Sequence, residues 1–338
     1  MKVRTPATTM LEVALFGAGR IGRIHAGNIA VTPGLRLRYV IDVNVAAAEE
    51  LAAAFAATAT DAERALADPL VAAVVIAAST AMHAELITRA AHAGKAIFCE
   101  KPVAAELDDA RACAGVVAEA GVACMIGFQR RFDPTFAALK RRLDAGEIGA
   151  AEVVVLTSRD PAPPPLEYLK QSGGVFKDML IHDFDVCRWL LADEILEIHA
   201  TGACLSPDAA QAHDLDTAAV TLRSRRGCLC VINTSRHAAY GYDQRIEVLG
   251  AAGMLQAGNH RPTEVIAALA GAVSSDVPEP FFLDRYRRAY ALEMAHFANL
   301  LAGTARPVPG LVDGIKALEL AELATRSWRE ARALTCLI

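Results

Sequence analysis

The sequence predicts an α/β protein in two parts: an N-terminal doubly wound parallel sheet, then a C-terminal α/β domain with an open, mostly antiparallel sheet. Three observations point there. A short apolar segment runs into a glycine-rich turn and then a helix-like stretch. Apolar strand-like runs alternate with helical ones up to about residue 128, and beyond it strand-like runs follow one another across short turns. A length of 338 residues suggests about two domains, which divide here as 1–128 and 129–338.

Composition narrows the function classes. At 54% hydrophobic and 22% charged, the chain has the profile of a folded globular protein, not a disordered or fibrous one. The longest clean apolar run is the eight residues Val71 to Ala78, against about 20 needed to cross a bilayer, so no membrane span is expected. The polar start MKVRTPATTM lacks the apolar core of a signal peptide, and a cytoplasmic location is the expectation. A net charge of −5 without a basic cluster argues against a nucleic-acid surface; Arg285 to Arg288 reads as the start of a helix with a wet face. Of the eight cysteines, only Cys228 and Cys230 are close. One intervening residue makes neither a zinc ribbon nor a redox CxxC, so free, mostly buried thiols are expected.

In chain order, Glu12 to Phe16 reads as a strand, Gly17-Ala18-Gly19-Arg20-Ile21-Gly22 follows at once, and IGRIHAGNIA reads as a helix. This is GxGxxG between a strand and a helix, a setting in which backbone N–H groups and a helix N-terminus face a pyrophosphate, as in a Rossmann domain. The first two glycines permit the turn and the close approach; Gly22 permits close helix–strand packing. A second strand, LRLRYVID, ends at Asp42, twenty residues after Gly22, where an acidic ribose partner is expected. A carboxylate there accepts from both ribose hydroxyls and repels a 2′-phosphate, which favours NAD over NADP. Helices at Ala46–Ala57, His83–Ala93 and Asp108–Ala120 alternate with strands at Val71–Ala78, Ala96–Glu100 and Ala123–Phe128. Ligands in such sheets sit beyond the carboxyl ends of the strands, so Ser79, Thr80, Glu100, Lys101 and Gln129 should face one crevice, and His83 is counted with the cofactor contacts. Lys101 precedes Pro102, whose ring biases it away from helical geometry and permits a cis bond.

After Phe128 the pattern changes. RRFDPTFAALKRRLDAG reads as a helix and AEVVVLTSRD begins a strand series, continued at Ile198–Cys204, Asp216–Arg223, Cys228–Ser235, Gln244–Leu249 and Met254–Ala257. Short turns such as Arg225-Arg226-Gly227 indicate antiparallel pairing. PAPPP at Pro161 to Pro165 reads as a stiff extended loop, and helices at Asp284–Leu301 and Val312–Arg332 close the chain. Within GGVFKDMLIHDFD the apolar spacing predicts one helix, which would place Asp178 a turn from His182, with Asp185 three residues on. A carboxylate beside an imidazole can take a proton from a hydroxyl and hold the resulting charge.

GAGRIGRIHA, FCEKPV, GFQRRFDP, SRDPAPPP, SGGVFKDMLIHDFD and YGYDQRIEVLG together resemble the Gfo/Idh/MocA oxidoreductases, and within them the inositol dehydrogenase branch, from about Leu11 to Ser327. The resemblance implies NAD-dependent oxidation of a cyclic polyol such as myo-inositol, a small-molecule partner, and a tetramer built through the C-terminal sheets. By position it places catalysis on Lys101, Asp178 and His182, and polyol contacts on Arg131, Tyr242 and Tyr290 as well. Ser158 and Asp160 stand where some relatives carry His and Asn, Gln129 replaces a frequent Asn, and Ala78-Ser79 replaces a common Thr-Pro. The first of these departures bears on which hydroxyls are read.

The expected chemistry is proton removal by His182, orientation by Asp178 and stabilisation of the developing oxyanion by Lys101. Another polyol on the same scaffold and a non-catalytic NAD-binding regulator are the alternatives. A metal at Asp178, His182 and Asp185 lacks further ligands to complete its set, and none is expected.

Overall fold

The structure, a computed structural model, describes residues 10–336; the N-terminal stretch considered for a signal peptide lies, up to residue 9, outside the described residues. The described residues divide into two compact units, one running up to Gln129 and including Tyr290–Ile315, the other comprising Arg130–Ala289 and the chain from Lys316 on.

The first unit holds β1 (Leu11–Phe16), α1 (Arg20–Val31), β2 (Leu35–Ile41), α2 (Val45–Ala54), β3 (Thr58–Ala59), α3 (Ala62–Ala67), β4 (Val71–Ile76), α4 (Thr80–His92), β5 (Ala96–Glu100), α5 (Leu107–Ala120) and β6 (Cys124–Gly127). Its sheet runs β3-β2-β1-β4-β5-β6, parallel throughout, so the order reverses between β1 and β4. Val13, Ala14, Leu15, Val74, Val75 and Ile76 are fully buried. Strands covered on both faces read as unbroken apolar runs, which is why this sheet is plain in the sequence. Asn44 and Asp61 cap α2 and α3 by accepting from Ala47 and Arg64 amides, and Gly121, at φ 66°, ends α5. Strand β3 was not expected; it pairs over two residues only, too short for any alternation.

The second unit holds α6 (Pro134–Asp144), β7 (Ala151–Arg159), α7 (Leu166–Leu169), α8 (Val175–Asp178), α9 (Ile181–Leu191), β8 (Ile195–Ala203), α10 (Pro207–Gln211), β9 (Thr217–Ser224), β10 (Leu229–Ser235), β11 (Asp243–Gly250), β12 (Gly253–Ala257), β13 (Ile266–Leu269), β14 (Ala272–Ser275), the start of α11 (Phe282–Leu301), the end of α12 (Leu311–Glu330) and β15 (Leu334–Thr335). Its main sheet runs β12-β11-β7-β10-β9-β8-β15. Strands β7 and β10 pair in parallel; every other neighbouring pair is antiparallel. Along β9, Ala218, Val220, Leu222 and Ser224 are buried while Ala219, Thr221 and Arg223 are exposed, the alternation of a sheet covered on one face. Helix α9 packs against β7. On α12, Ser327 accepts from the Ala200 amide at 3.0 Å and donates to the Arg332 carbonyl at 2.6 Å.

Two further features depart from the sequence reading. Cys187 on α9 and Cys230 on β10 form a disulfide, and the other six cysteines are free. Forty-three residues separate the pair, so no local spacing announces it. The hairpin β13–β14 is exposed along its length and so carries no buried-face alternation to read.

From Tyr290 onward α11 belongs to the first unit. There Tyr290 lies edge-on to His25 at 6.0 Å, Phe297 packs on Phe98 at 5.6 Å, and the Ile126 amide donates to the Pro309 carbonyl at 2.9 Å. The chain leaves this unit after Gln129, and its return at Tyr290–Ile315 has no sequence signal, because a helix shared by two units keeps its apolar period.

Candidate active site

In the first unit, the β1–α1 turn is shaped by three glycines with different surroundings. Gly17 has φ +108°, and a Cβ on it would lie 2.3 Å from the Ala77 carbonyl oxygen. A Cβ on Gly22 would lie 2.0 Å from the Gly17 carbonyl oxygen, whereas one on Gly19 would meet nothing within 4 Å. Two glycines are thus required by the chain's own packing, and the third leaves open space beside a helix start. Gly19 occupies the N-cap of α1 and, having no side chain, caps none of the first-turn amides itself. That combination fits a pyrophosphate. Asp42, just past β2, accepts from the Ala18 amide (2.6 Å) and the Asn44 amide (2.8 Å). A carboxylate has about four lone-pair sites, so both oxygens keep acceptor capacity for a ribose.

The remaining first-unit candidates gather at the carboxyl ends of β4, β5 and β6. Ser79 is the N-cap of α4 and Thr80 its first residue. Lys101, half-buried, follows β5 with a cis bond to Pro102. Gln129 is buried two residues past β6. Glu100 pairs with His25 on α1 (2.7 Å, both buried), and a Cβ on Gly127 would meet the Glu100 carboxylate at 3.0 Å. His83, expected among the cofactor contacts, is 1% exposed. Its Nδ1 lies 2.7 Å from the Pro102 carbonyl and its Nε2 3.1 Å from the Ala78 carbonyl, so the one N–H of the neutral ring has a backbone acceptor in either tautomer. Burial pushes this imidazole below the usual histidine range. It fastens the segment after Lys101 to the β4–α4 turn.

In the second unit, the single helix expected over GGVFKDMLIHDFD is two. Helix α8 ends at Asp178 and α9 begins at Ile181, with the Leu180 amide donating to the Val175 carbonyl (3.1 Å), five residues back. Such a wide turn interrupts the single helix expected between Asp178 and His182. Asp178 Oδ1 accepts from the Tyr168 hydroxyl (2.8 Å) and its Oδ2 from Arg236 (3.0 Å). His182, 8% exposed, is the second residue of α9. Two consecutive arginines fasten that helix. Arg130 donates to Asp183 at 2.8 Å, and Arg131 grips Asp185 through two bonds at 2.8 and 2.5 Å, all four side chains buried. Burial pushes the Asp183 carboxyl up, and Arg130 opposes it.

Other candidates fare differently. Ser158, expected at the substrate, is fully buried, accepting from Arg130 at 3.3 Å and donating to Gln244 at 3.2 Å. The pleat of β7 turns it to the covered face. Asp160, just past β7, is half-buried and pairs by backbone with Ser235 and Ala238. Tyr242 is buried and edge-on to Tyr286 at 6.0 Å; burial pushes its phenol well up. Arg236, Tyr168 and His25 were missed: a buried arginine just past a strand and a tyrosine after a proline run carry no periodic signal.

Each unit matches a known protein family. Residues 11–128 match the oxidoreductase family, NAD-binding Rossmann fold, and residues 136–256 match the GFO/IDH/MocA C-terminal domain. The chain is 44% identical over 328 residues to an inositol 2-dehydrogenase of Rhizobium meliloti (strain 1021), covering 96% of this chain and 99% of that protein. The crystal structure of a myo-inositol dehydrogenase from Corynebacterium glutamicum superposes with a TM-score of 0.93 at 42% identity, covering 97% of this chain and 99% of that one. That of myo-inositol dehydrogenase from Lactobacillus casei in complex with NAD(H) and myo-inositol gives 0.88 at 29% identity, covering 98% of each chain. A cradle open only where a phosphate would lie and a likeness spanning both units have one reading: the chain belongs to the Gfo/Idh/MocA oxidoreductase family, with the NAD-binding Rossmann fold of that family at its N-terminus.

Proposed function

We propose that this protein oxidises a cyclic polyol, myo-inositol foremost, to the 2-keto inosose with NAD. The observation that carries this reading is 44% identity to an inositol 2-dehydrogenase over nearly the whole of both chains. Gly19 and the first-turn amides of α1 would hold the pyrophosphate, and Asp42 the ribose, which favours NAD over NADP. Bound NAD supplies a hydride acceptor.

His182 takes the proton from one ring hydroxyl as the C–H bond breaks. Asp178 accepts from that imidazole or from a neighbouring hydroxyl. Lys101 presents an ammonium to the oxygen on which negative charge develops. Asp160 and Tyr242 supply further hydrogen bonds to the ring. Arg131 and Ser158 act from behind, the first through Asp185 and the second through Arg130, in fixing α9. A polyol offers little apolar surface, so each mismatched hydroxyl leaves a buried polar group unpaired, at about 1–3 kcal/mol. The same reading carries a cytoplasmic homotetramer serving inositol catabolism; exposed Val265, Ile266, Leu269 and Val273 around the β13–β14 hairpin support the oligomer.

The test is NADH formation by purified protein given NAD with myo-, scyllo- or chiro-inositol or glucose, repeated with NADP. Fastest turnover on myo-inositol with NAD is expected. Reaction of glucose with no cyclitol turned over would remove inositol from the reading while keeping a dehydrogenase.

A further inference from the structure

We infer that Tyr168 and Arg236 are positioning residues for Asp178, together fixing the plane of its carboxylate before substrate arrives. The inference rests on the proposed function, in which Asp178 is a group that meets the substrate.

Two donors reach the two oxygens of Asp178 from separate parts of the second unit. Tyr168 lies on α7, directly after the PAPPP stretch, and its hydroxyl donates to Oδ1 at 2.8 Å. Arg236 follows the last residue of β10, and its guanidinium donates to Oδ2 at 3.0 Å. One donor alone would leave the carboxylate free to turn about its Cβ–Cγ bond. Two donors on opposite oxygens remove that rotation and direct the remaining lone pairs.

Arg236 is itself anchored. It is 1% exposed, and its backbone amide donates to the Asp216 carbonyl at 2.8 Å. Its guanidinium also lies 3.9 Å from the Asp214 carboxylate. Asp214 in turn accepts from the Val175 amide at 2.9 Å and the Leu215 amide at 2.7 Å. Arg236 therefore stands between two carboxylates, one holding the first residue of α8 and the other being its last. A four-residue helix cannot hold its own geometry, so both of its ends are held by side chains. Burial and the adjacent Asp178 carboxylate push the Tyr168 phenol up, so it remains protonated and donates across the working pH range.

The experiment is a double-mutant cycle on the full-length enzyme, assayed with NAD and whichever polyol it turns over fastest. Tyr168→Phe removes one hydroxyl from a half-exposed ring and leaves packing intact. It should lower kcat about tenfold with the KM for NAD unchanged. Arg236→Met should lower kcat about a hundredfold, and Arg236→Lys should recover most of the loss. In an Asp178→Ala background, Tyr168→Phe should change kcat less than twofold, since nothing remains to be positioned. The same tenfold loss in both backgrounds would overturn the inference, as would wild-type kcat in Tyr168→Phe. Asp178→Ala with wild-type kcat is a separate result: it would overturn the role of Asp178 itself and take the positioning role with it. Should Arg236→Met fail to fold, the Tyr168 arm of the cycle decides alone.

Discussion

Asp42 Oδ2 accepts a hydrogen bond from the Ala18 amide at 2.6 Å, tying the end of β2 to the glycine turn after β1 across 24 residues. The carboxylate proposed to meet the ribose therefore also sets the turn that meets the pyrophosphate. Asp42→Ala should weaken NAD by about 10- to 100-fold, the effect of losing roughly 1.5–3 kcal/mol of charge-assisted hydrogen bonding, and should narrow the preference over NADP. Fluorescence titration with NADH and NADPH reads both; an unaltered preference would remove Asp42 from ribose recognition.

Gly19 and Gly22 should separate binding from folding. Gly19→Ala places a methyl in open space beside the α1 start, so the melting temperature should hold while NAD affinity falls at least tenfold. Gly22→Ala drives a Cβ to 2.0 Å from the Gly17 carbonyl oxygen, so the melting temperature itself should drop. Equal melting temperatures for both variants would contradict the assignment of these glycines.

His182→Ala should lower kcat by about 10² to 10⁴, the usual contribution of a positioned general base, with NADH binding retained. Stopped-flow turnover paired with an equilibrium NADH titration makes the comparison. Turnover within twofold of wild type would take His182 out of the mechanism.

His83 should give the protein an acid-sensitive term. Its folded-state pKa is lowered from 6.5, first by burial, with Lys101 acting in the same direction and the Pro102 and Ala78 carbonyls and Glu100 opposing. Between the lowered value and 6.5 the unfolded chain binds the proton and the folded one does not. The contribution is thus complete above about 6.5 and is lost as pH falls below it. Urea midpoints at pH 7.5, 6.5 and 5.5 should fall more steeply for wild type than for His83→Gln. Parallel slopes would show that His83 does not titrate differently on folding.

The first unit was legible because its physics is local. A strand buried on both faces, a turn rich in glycine, and an acidic residue at the end of the next strand all leave marks within a few dozen residues; Gly17, Gly19 and Gly22 lie in the β1–α1 turn, and Asp42 just past β2 accepts from the Ala18 amide. The two-residue strand β3 and the exposed β13–β14 hairpin left none, one too short to alternate and the other without a buried face.

What the sequence by itself determined was the two-part α/β class, the main strands and helices of the parallel sheet and the glycine-rich turn of its nucleotide-binding fold, because those follow from backbone sterics and side-chain type. Tertiary structure decided which groups hold which. Tyr168 and Arg236 hydrogen-bond Asp178, Arg131 hydrogen-bonds Asp185, and Ser158 is turned into the interior. Each of these is a pairing between residues distant in the chain or a choice of sheet face, fixed by where buried charge must find its partner, and such a requirement has no period for a sequence to display.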